Sequence, residues 1–258
     1  MPFLSSFAQL WPETGTLAVL LFAGLLGGLV RGFTGFGFAM IFMPIASTVL
    51  APSLALAVIF LIDCPFALVL GAMAARRADL RGVATLLAAA SLMLPVGLWL
   101  LISLDPQVMR WIICGLILAA LALLMSGWRY QGKPSLPLTL GVGSVSGLFS
   151  GMASLGGMPL ALFWLSSQTK SPADMRTDMQ AYFGLSTLVS LGFLAWSGLL
   201  SWKALMLAIV LMPIYGLALW LGTHGFHIAS EATFRRIAYG IILLAAVSGL
   251  PLLDGILR

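Results

Sequence analysis

Two stretches of this sequence gather glycine among apolar neighbours: Arg31-Gly32-Phe33-Thr34-Gly35-Phe36-Gly37 and Ser150-Gly151-Met152-Ala153-Ser154-Leu155-Gly156-Gly157. Glycine accepts positive φ and lets the backbone come close to a ligand. Where a helix stops and restarts, the first N–H groups of the new helix lack intrahelical partners and carry partial positive charge. Such starts hold anions without needing a fixed cation. The chemistry expected is therefore anion binding by Gly32, Gly35 and Gly37 on one side and Gly151, Gly156 and Gly157 on the other. The hydroxyls of Thr34, Ser150 and Ser154 would be further donors. A packing alternative stays open, because Gly28-x-x-x-Gly32 and Gly147-x-x-x-Gly151 also fit close helix–helix contacts.

Ionisable residues inside apolar runs are costly and mark function by default. Arg31 sits at the first glycine stretch, and it could pair with an anionic ligand or snorkel to the headgroups. Its counterpart in the second stretch is Ser150, so any cationic contribution is one-sided. Asp63 lies near the middle of an apolar run, where a desolvated carboxyl prefers its neutral form. It is a candidate for proton coupling, with a structural hydrogen bond to Arg31 or a helix end as the alternative. Asp174, Arg176 and Asp178 read as a solvated cluster at the membrane interface. His224 and His227 have no thiolate or acid at a coordinating spacing, so no metal is expected. No nucleophile elbow, P-loop or carboxylate pair is present, so neither catalysis nor a cofactor is expected, and any transport would run on a gradient or downhill.

The elements that must position these residues follow from composition. Of 258 residues, 61% are hydrophobic and 8% charged, with a mean hydropathy of +1.09. A water-facing domain carries about 25% charged residues. Lipid removes that need and forces the backbone into helices or a closed barrel. The apolar runs are continuous rather than alternating, which excludes a barrel. The fold class is an all-α polytopic membrane protein. Full spans are predicted at 54–75, 83–104, 108–128, 179–199, 204–223 and 237–253. Segments 17–50 and 138–167 are too long for one span of about 20 residues. Each is broken by its glycine stretch into arms of about 10 to 14 residues, a length that suits re-entrant or broken half-helices. The N-terminus has no basic region before its first apolar run, so no cleavable leader is expected. The net charge of +5 sits mostly in short loops and suggests no nucleic-acid partner. Cys64 and Cys114 read as small buried hydrophobes.

The chain also repeats itself. Gly28-x-x-x-Gly32-x-x-Gly35-x-Gly37 aligns with Gly147-x-x-x-Gly151-x-x-Ser154-x-Gly156. Pro95-x-Gly97 resembles Pro213-x-x-Gly216, and the helix starting at Arg110 resembles the one starting at Arg235. This divides the chain into a first repeat at 1–128, a basic connector at 129–137 and a second repeat at 138–258. Doubled glycine-interrupted segments are the pointer to a transporter binding site. If both interrupted segments are hairpins, Arg76, Arg77, Arg81, Arg129, Lys133, Lys170, Arg176, Arg235 and Arg236 fall on one side, and only Arg110, Lys203 and Arg258 on the other. That asymmetry favours hairpins over full crossings, and three spans per half then make the repeats inverted.

The doubled G-x-x-x-G-x-x-G-x-G pattern, the Gly156-Gly157-Met158-Pro159 loop end and the Phe234-Arg235-Arg236 start of the last helix resemble the sulfite exporter TauE/SafE family of membrane permeases. The resemblance runs from about Gly24 to Leu253. It implies outward transport of a small sulfur-containing anion, such as sulfite, sulfoacetate or another organosulfonate, across a bacterial inner membrane. Phe36 and Phe38 replace part of the usual glycine run, and Asp63-Cys64 stands where small hydroxyl residues are common. These departures hint at a larger or less polar ligand than sulfite. Uptake of another small anion such as a carboxylate stays open, as does a membrane enzyme or assembly factor. Assembly is left open between monomer and homodimer.

Overall fold

Helix starts are written into the sequence as prolines and short polar caps. Pro52 and Pro106 occupy first turns, where their missing N–H costs nothing. Asp79, Asp105, Ser135 and Ser171 each accept backbone N–H groups of the turn that follows. Ser171 and Asp174 form a reciprocal capping box. The computed structural model describes residues 13–126, 135–165, 171–225 and 231–254. Their order is α1 (Thr14–Thr34), α2 (Phe38–Ala46), α3 (Pro52–Ala75), α4 (Leu80–Ser103), α5 (Pro106–Met125), α6 (Leu136–Ala153), α7 (Gly157–Leu165), α8 (Pro172–Trp196), α9 (Trp202–Gly225) and α10 (Glu231–Ser248), with a 3-10 turn at Pro251–Leu253.

Seven of these helices are long and apolar enough to cross a membrane; α2 and α7 have nine residues each, and the apolar part of α10 is the shorter stretch Arg236–Ser248. Leu92, Trp99, Ile209 and Leu244 are more than half exposed on the outer surface. Such a surface is stable only where the solvent is itself apolar. The chain is a multi-pass membrane protein.

Both interrupted segments break where the glycines predict, but the arms are unequal. The outer arms α1 and α6 have 21 and 18 residues, and the inner arms α2 and α7 have nine each. At 1.5 Å per residue α1 is about 32 Å long and α2 about 14 Å, so α1 can span alone and α2 cannot. The expected arms of 10 to 14 residues followed hydropathy, whereas the helices end at backbone turns that hydropathy does not report. The fourth span also differs, because α8 begins at 172 rather than 179. Its capped first turns are polar and precede the apolar run.

Each inner arm folds back on its outer arm. The Phe38 ring lies against Gly27, and Gly37 lies beside Val30. In the second segment Gly156 rests on Ser146 and Ser150. Glycine then lets the outer arms approach other helices closely. Gly24, Gly28 and Gly32 of α1 meet, in that order, Ile214, Tyr215 with Ala218, and Leu219 with Thr223 of α9. Gly143, Gly147 and Gly151 of α6 meet Leu86 with Ala89, Ala90, and Leu94 with Leu98 of α4. Both pairs therefore run parallel. Between them α3 and α8 cross antiparallel, with Gly71 against Gly184 and Gln180. The expected match of Pro95-x-Gly97 with Pro213-x-x-Gly216 does not extend to packing. Gly97 stands against Gly151, Gly216 stands against the Phe66 ring, and Gly222 is the residue that meets Gly32.

These directions give the bundle two distinct ends. The α3–α4 turn, the start of α8 and the end of α9 share one end, where Asp79 N–H donates to Asp178 at 2.8 Å and Arg176 donates to the Gly32 carbonyl at 3.2 Å. The end of α2, the start of α5 and the end of α10 share the other, where Gly249 packs on Pro44 and Arg110 pairs with Asp254 at 2.7 Å. The core between them is built on α2, whose residues Phe38 to Met43 are all buried.

Candidate functional site

Both breaks begin at a left-handed residue that ends the outer arm, and the second adds a bond from Leu155 N–H to the Phe149 carbonyl at 3.1 Å. Gly35 ends α1 at φ 82°, its N–H donating to the Arg31 carbonyl at 2.7 Å. Ser154 ends α6 at φ 57°, its N–H donating to the Ser150 carbonyl at 2.9 Å. A single left-handed residue with a five-to-one hydrogen bond is a standard helix stop. Glycine takes that conformation freely, whereas Ser154 is the one described non-glycine residue with positive φ. Gly37 at φ 97° then starts α2 with no side-chain cap, leaving its first N–H groups without partners in the helix.

The breaks face one another. A Cβ on Gly157 would lie 3.6 Å from Cβ of Phe36 and 2.9 Å from Cζ of Phe183. Both line one cavity of about 50 Å3, together with Arg31, Asp63, Ser150 and Ser154. A water needs about 10 to 15 Å3 measured this way, so the space suits a few waters or one small ion. Asp63 is the twelfth of the 24 residues of α3, which puts the cavity near mid-bundle.

The charges in it are tied together. The Arg31 guanidinium lies 2.9 Å from one Asp63 oxygen, and Tyr215 donates its hydroxyl to the other at 2.6 Å. The guanidinium carbon also sits 5.5 Å from the centre of the Phe183 ring. Arg31 is therefore paired and largely enclosed, its side chain 12% exposed, rather than snorkelled to a headgroup. On the opposite wall Ser146 donates to the Gly156 carbonyl at 2.8 Å and lies 3.1 Å from the Tyr182 hydroxyl. These bonds fix the second loop from behind.

The residues singled out from sequence separate into two groups. Arg31, Gly37, Asp63, Ser150, Ser154, Gly156 and Gly157 line the cavity. Gly32 and Gly151 do not, because they carry the close contacts to α9 and α4. Thr34 turns its hydroxyl into its own turn, donating to the carbonyl of Val30 at 2.8 Å and contacting that of Phe36, while accepting from Phe36 N–H at 3.2 Å. Gly32 and Gly35 both line a smaller neighbouring cavity with Arg31. The anticipated solvated cluster is dispersed. Asp174 caps α8, Asp178 is buried against the α3–α4 turn, and Arg176 reaches Gly32. His224 belongs to the end of α9, and His227 lies outside the described residues.

Phe36 and Phe38 narrow the site rather than enlarge it. Phe36 closes on Gly157, and Phe38 fills the space over Gly27 and packs on the Tyr215 ring at 4.3 Å. Tyr215, Tyr182 and Phe183 had no signal of their own in the sequence. Tyr215 is 152 residues from its partner Asp63, and nothing local marks that contact.

The family described as "Sulfite exporter TauE/SafE" matches residues 20–249. A "Probable sulfite/organosulfonate exporter TauE" of Cupriavidus necator is 32% identical over 101 residues, a stretch covering 39% of this chain and 39% of that protein. No solved structure matches the chain. From the first broken helix to the end of the last, this multi-pass inner-membrane protein belongs to the sulfite exporter TauE/SafE family.

Proposed function

We propose that the chain is a secondary transporter that exports a small sulfur-containing anion, such as sulfite, sulfoacetate or another organosulfonate. The observation that carries this reading is the convergence of both helix breaks on one mid-bundle cavity that holds Arg31. An anion there would meet the guanidinium, the free N–H groups at the start of α2 and the Ser150 and Ser154 hydroxyls. The small cavity favours sulfite over bulkier sulfonates. The relative's printed name supports the substrate class.

Asp63 gives the cycle a chemical logic. An anion and the Asp63 carboxylate compete for Arg31, so a proton on Asp63 releases the guanidinium and strengthens anion binding. Anion and proton then bind together and travel together, because linkage works in both directions. A dianion accompanied by one proton carries one net negative charge outward, which an interior-negative potential drives.

The architecture fits two inverted halves. α1–α2 and α6–α7 end their outer arms on matching left-handed residues, Gly35 and Ser154. The arms start from opposite ends of the bundle, as their parallel partners α9 and α4 require. Among the described residues Arg76, Arg77, Arg81, Arg176 and Arg236 lie toward one end, against Arg110 and Lys203 toward the other. That bias supports a cytoplasmic location for the first end.

The test is counterflow of labelled sulfite in proteoliposomes of purified protein. Exchange that is saturable, and competed by sulfoacetate but not by acetate, is the expected result. No exchange with any sulfur anion would remove the proposal.

A further inference from the structure

The mid-bundle cavity is the innermost of three that share walls. Toward the basic end, Arg31 and Phe183 also border a cavity of about 40 Å3 that contains Arg176, Gln180 and Thr223. Gln180 in turn borders an open recess of about 610 Å3 lined by Arg76, Arg77 and Thr177. One face of α8 runs through all three, because Arg176, Gln180, Phe183 and Thr187 follow one another at helical spacing. From Arg176 to Thr187 that face covers about 16 Å at 1.5 Å per residue.

From the mouth to Arg176 the charged side chains lining this face are basic, and the carboxylate of Asp63 enters only at the inner end, paired with Arg31. Arg76 and Arg77 stand exposed at the mouth. Arg176 is half-buried and, among the described residues, has no carboxylate within ion-pair distance, its recorded bond being the one to the Gly32 carbonyl. Arg31 comes last, held by Asp63 and covered by the Phe183 ring. Basic side chains lining a confined path raise the local concentration of anions and speed their arrival.

We infer that this face of α8 is the loading route for the transported anion, with Arg176 as an intermediate anion station and the Arg31–Phe183 stack as the gate into the central cavity. The inference rests on the anion-transport reading above and adds to it a side, a path and a gate. An anion at Arg176 sits within reach of the gate and draws the Arg31 guanidinium toward itself and away from Phe183. The phenyl ring is free to turn once that contact is lost. Among the described residues the three connected cavities lead to the basic end, so loading from that side and from the other should respond differently to changes in Arg176.

Two measurements test this. In proteoliposomes sorted by orientation, Arg176→Gln should raise the KM for sulfite presented at the basic end several-fold and leave the KM from the opposite end unchanged. In a Cys64→Ser/Cys114→Ser background, Gln180→Cys should react from the basic end faster with a sulfonate-bearing methanethiosulfonate than with the ammonium-bearing reagent of similar size. Adding Arg176→Gln should abolish that preference, and sulfite should slow the reaction. Ser186→Cys, beyond the gate, should react slowly from the basic end until Phe183→Ala opens the path. Equal reagent rates at Gln180→Cys, or a KM indifferent to Arg176 in a protein that does exchange sulfite, overturn the route and leave the transport reading standing. A wild-type protein that exchanges no sulfur anion overturns both.

Discussion

Arg31 on the first broken helix holds its guanidinium 2.9 Å from the carboxylate of Asp63, and Tyr215 takes the other oxygen of that carboxylate. The pair closes the cavity electrically. On the transport reading proposed above, a negative ligand would compete with Asp63 for Arg31, and this competition gives the first two predictions.

Asp63→Asn keeps an acceptor for Tyr215 but releases Arg31. Without anion the variant should melt at a lower temperature than wild type, because a buried charge stripped of its partner costs about 3–5 kcal/mol. Sulfite should raise its melting temperature more than it raises that of wild type, since a ligand stabilises the state it binds. Thermal unfolding in detergent with and without sulfite measures both effects. Transport by the variant should also lose its dependence on a pH gradient. Sulfite stabilisation no larger than in wild type would remove the competition.

Arg31→Gln should abolish sulfite exchange and destabilise the protein by a similar amount, now through the uncompensated carboxylate, about 3–5 kcal/mol. The double variant Arg31→Gln/Asp63→Asn should recover most of the melting temperature and none of the transport. A double variant that still exchanges sulfite would show Arg31 to be structural alone.

The glycine contacts predict a pattern across the fold. A Cβ at Gly32 would lie 2.3 Å from the Leu219 carbonyl oxygen, and one at Gly151 2.3 Å from that of Leu94. Alanine at either site must push two backbones apart and should cost about 1–3 kcal/mol. At Gly115 and Gly240 a Cβ meets nothing within 4 Å. Alanine there should be neutral or should stabilise by about 0.5–1 kcal/mol, the usual helical penalty of glycine. Melting temperatures of the four single variants distinguish the two classes.

Gly35 and Ser154 predict opposite signs at matching positions. Ser154→Gly relieves a left-handed conformation that costs a side chain about 1–2 kcal/mol, and Gly35→Ala imposes that cost. The first should raise the melting temperature and the second lower it. Ser154 also lines the cavity, so its variant should change the KM for sulfite while improving stability.

Much of this was legible in the sequence, and for definite reasons. The two breaks were readable because glycine and its spacing act within a few residues, and Gly35, Gly37, Gly156 and Gly157 all fall at or beside a helix end. The lengths of the arms were not, since hydropathy sees the apolar surface and not the backbone turn that stops α1 at Thr34. Gly32 and Gly151 fitted both a ligand role and a packing role. The packing role depends on the positions of α9 and α4, which the sequence does not give, and Gly32 also borders the cavity beside Arg31. The Asp63–Tyr215 bond and the run of cavities along α8 depend on helices distant in sequence, and a single sequence carries no local mark of either.

The close contact of Gly32 with Gly222, and of Gly151 with Gly97, ties each hairpin to a helix from the opposite half of the chain. A cut at the connector would divide the sequence in two without dividing the molecule, since each fragment would leave its hairpin's seat behind on the other. In the proposed transport cycle, a rocking motion that exposes the centre to alternate sides would carry 14–46 with α9 as one block and α4 with 136–165 as another. The crossing of α3 and α8 at Gly71 and Gly184 would then be the fulcrum.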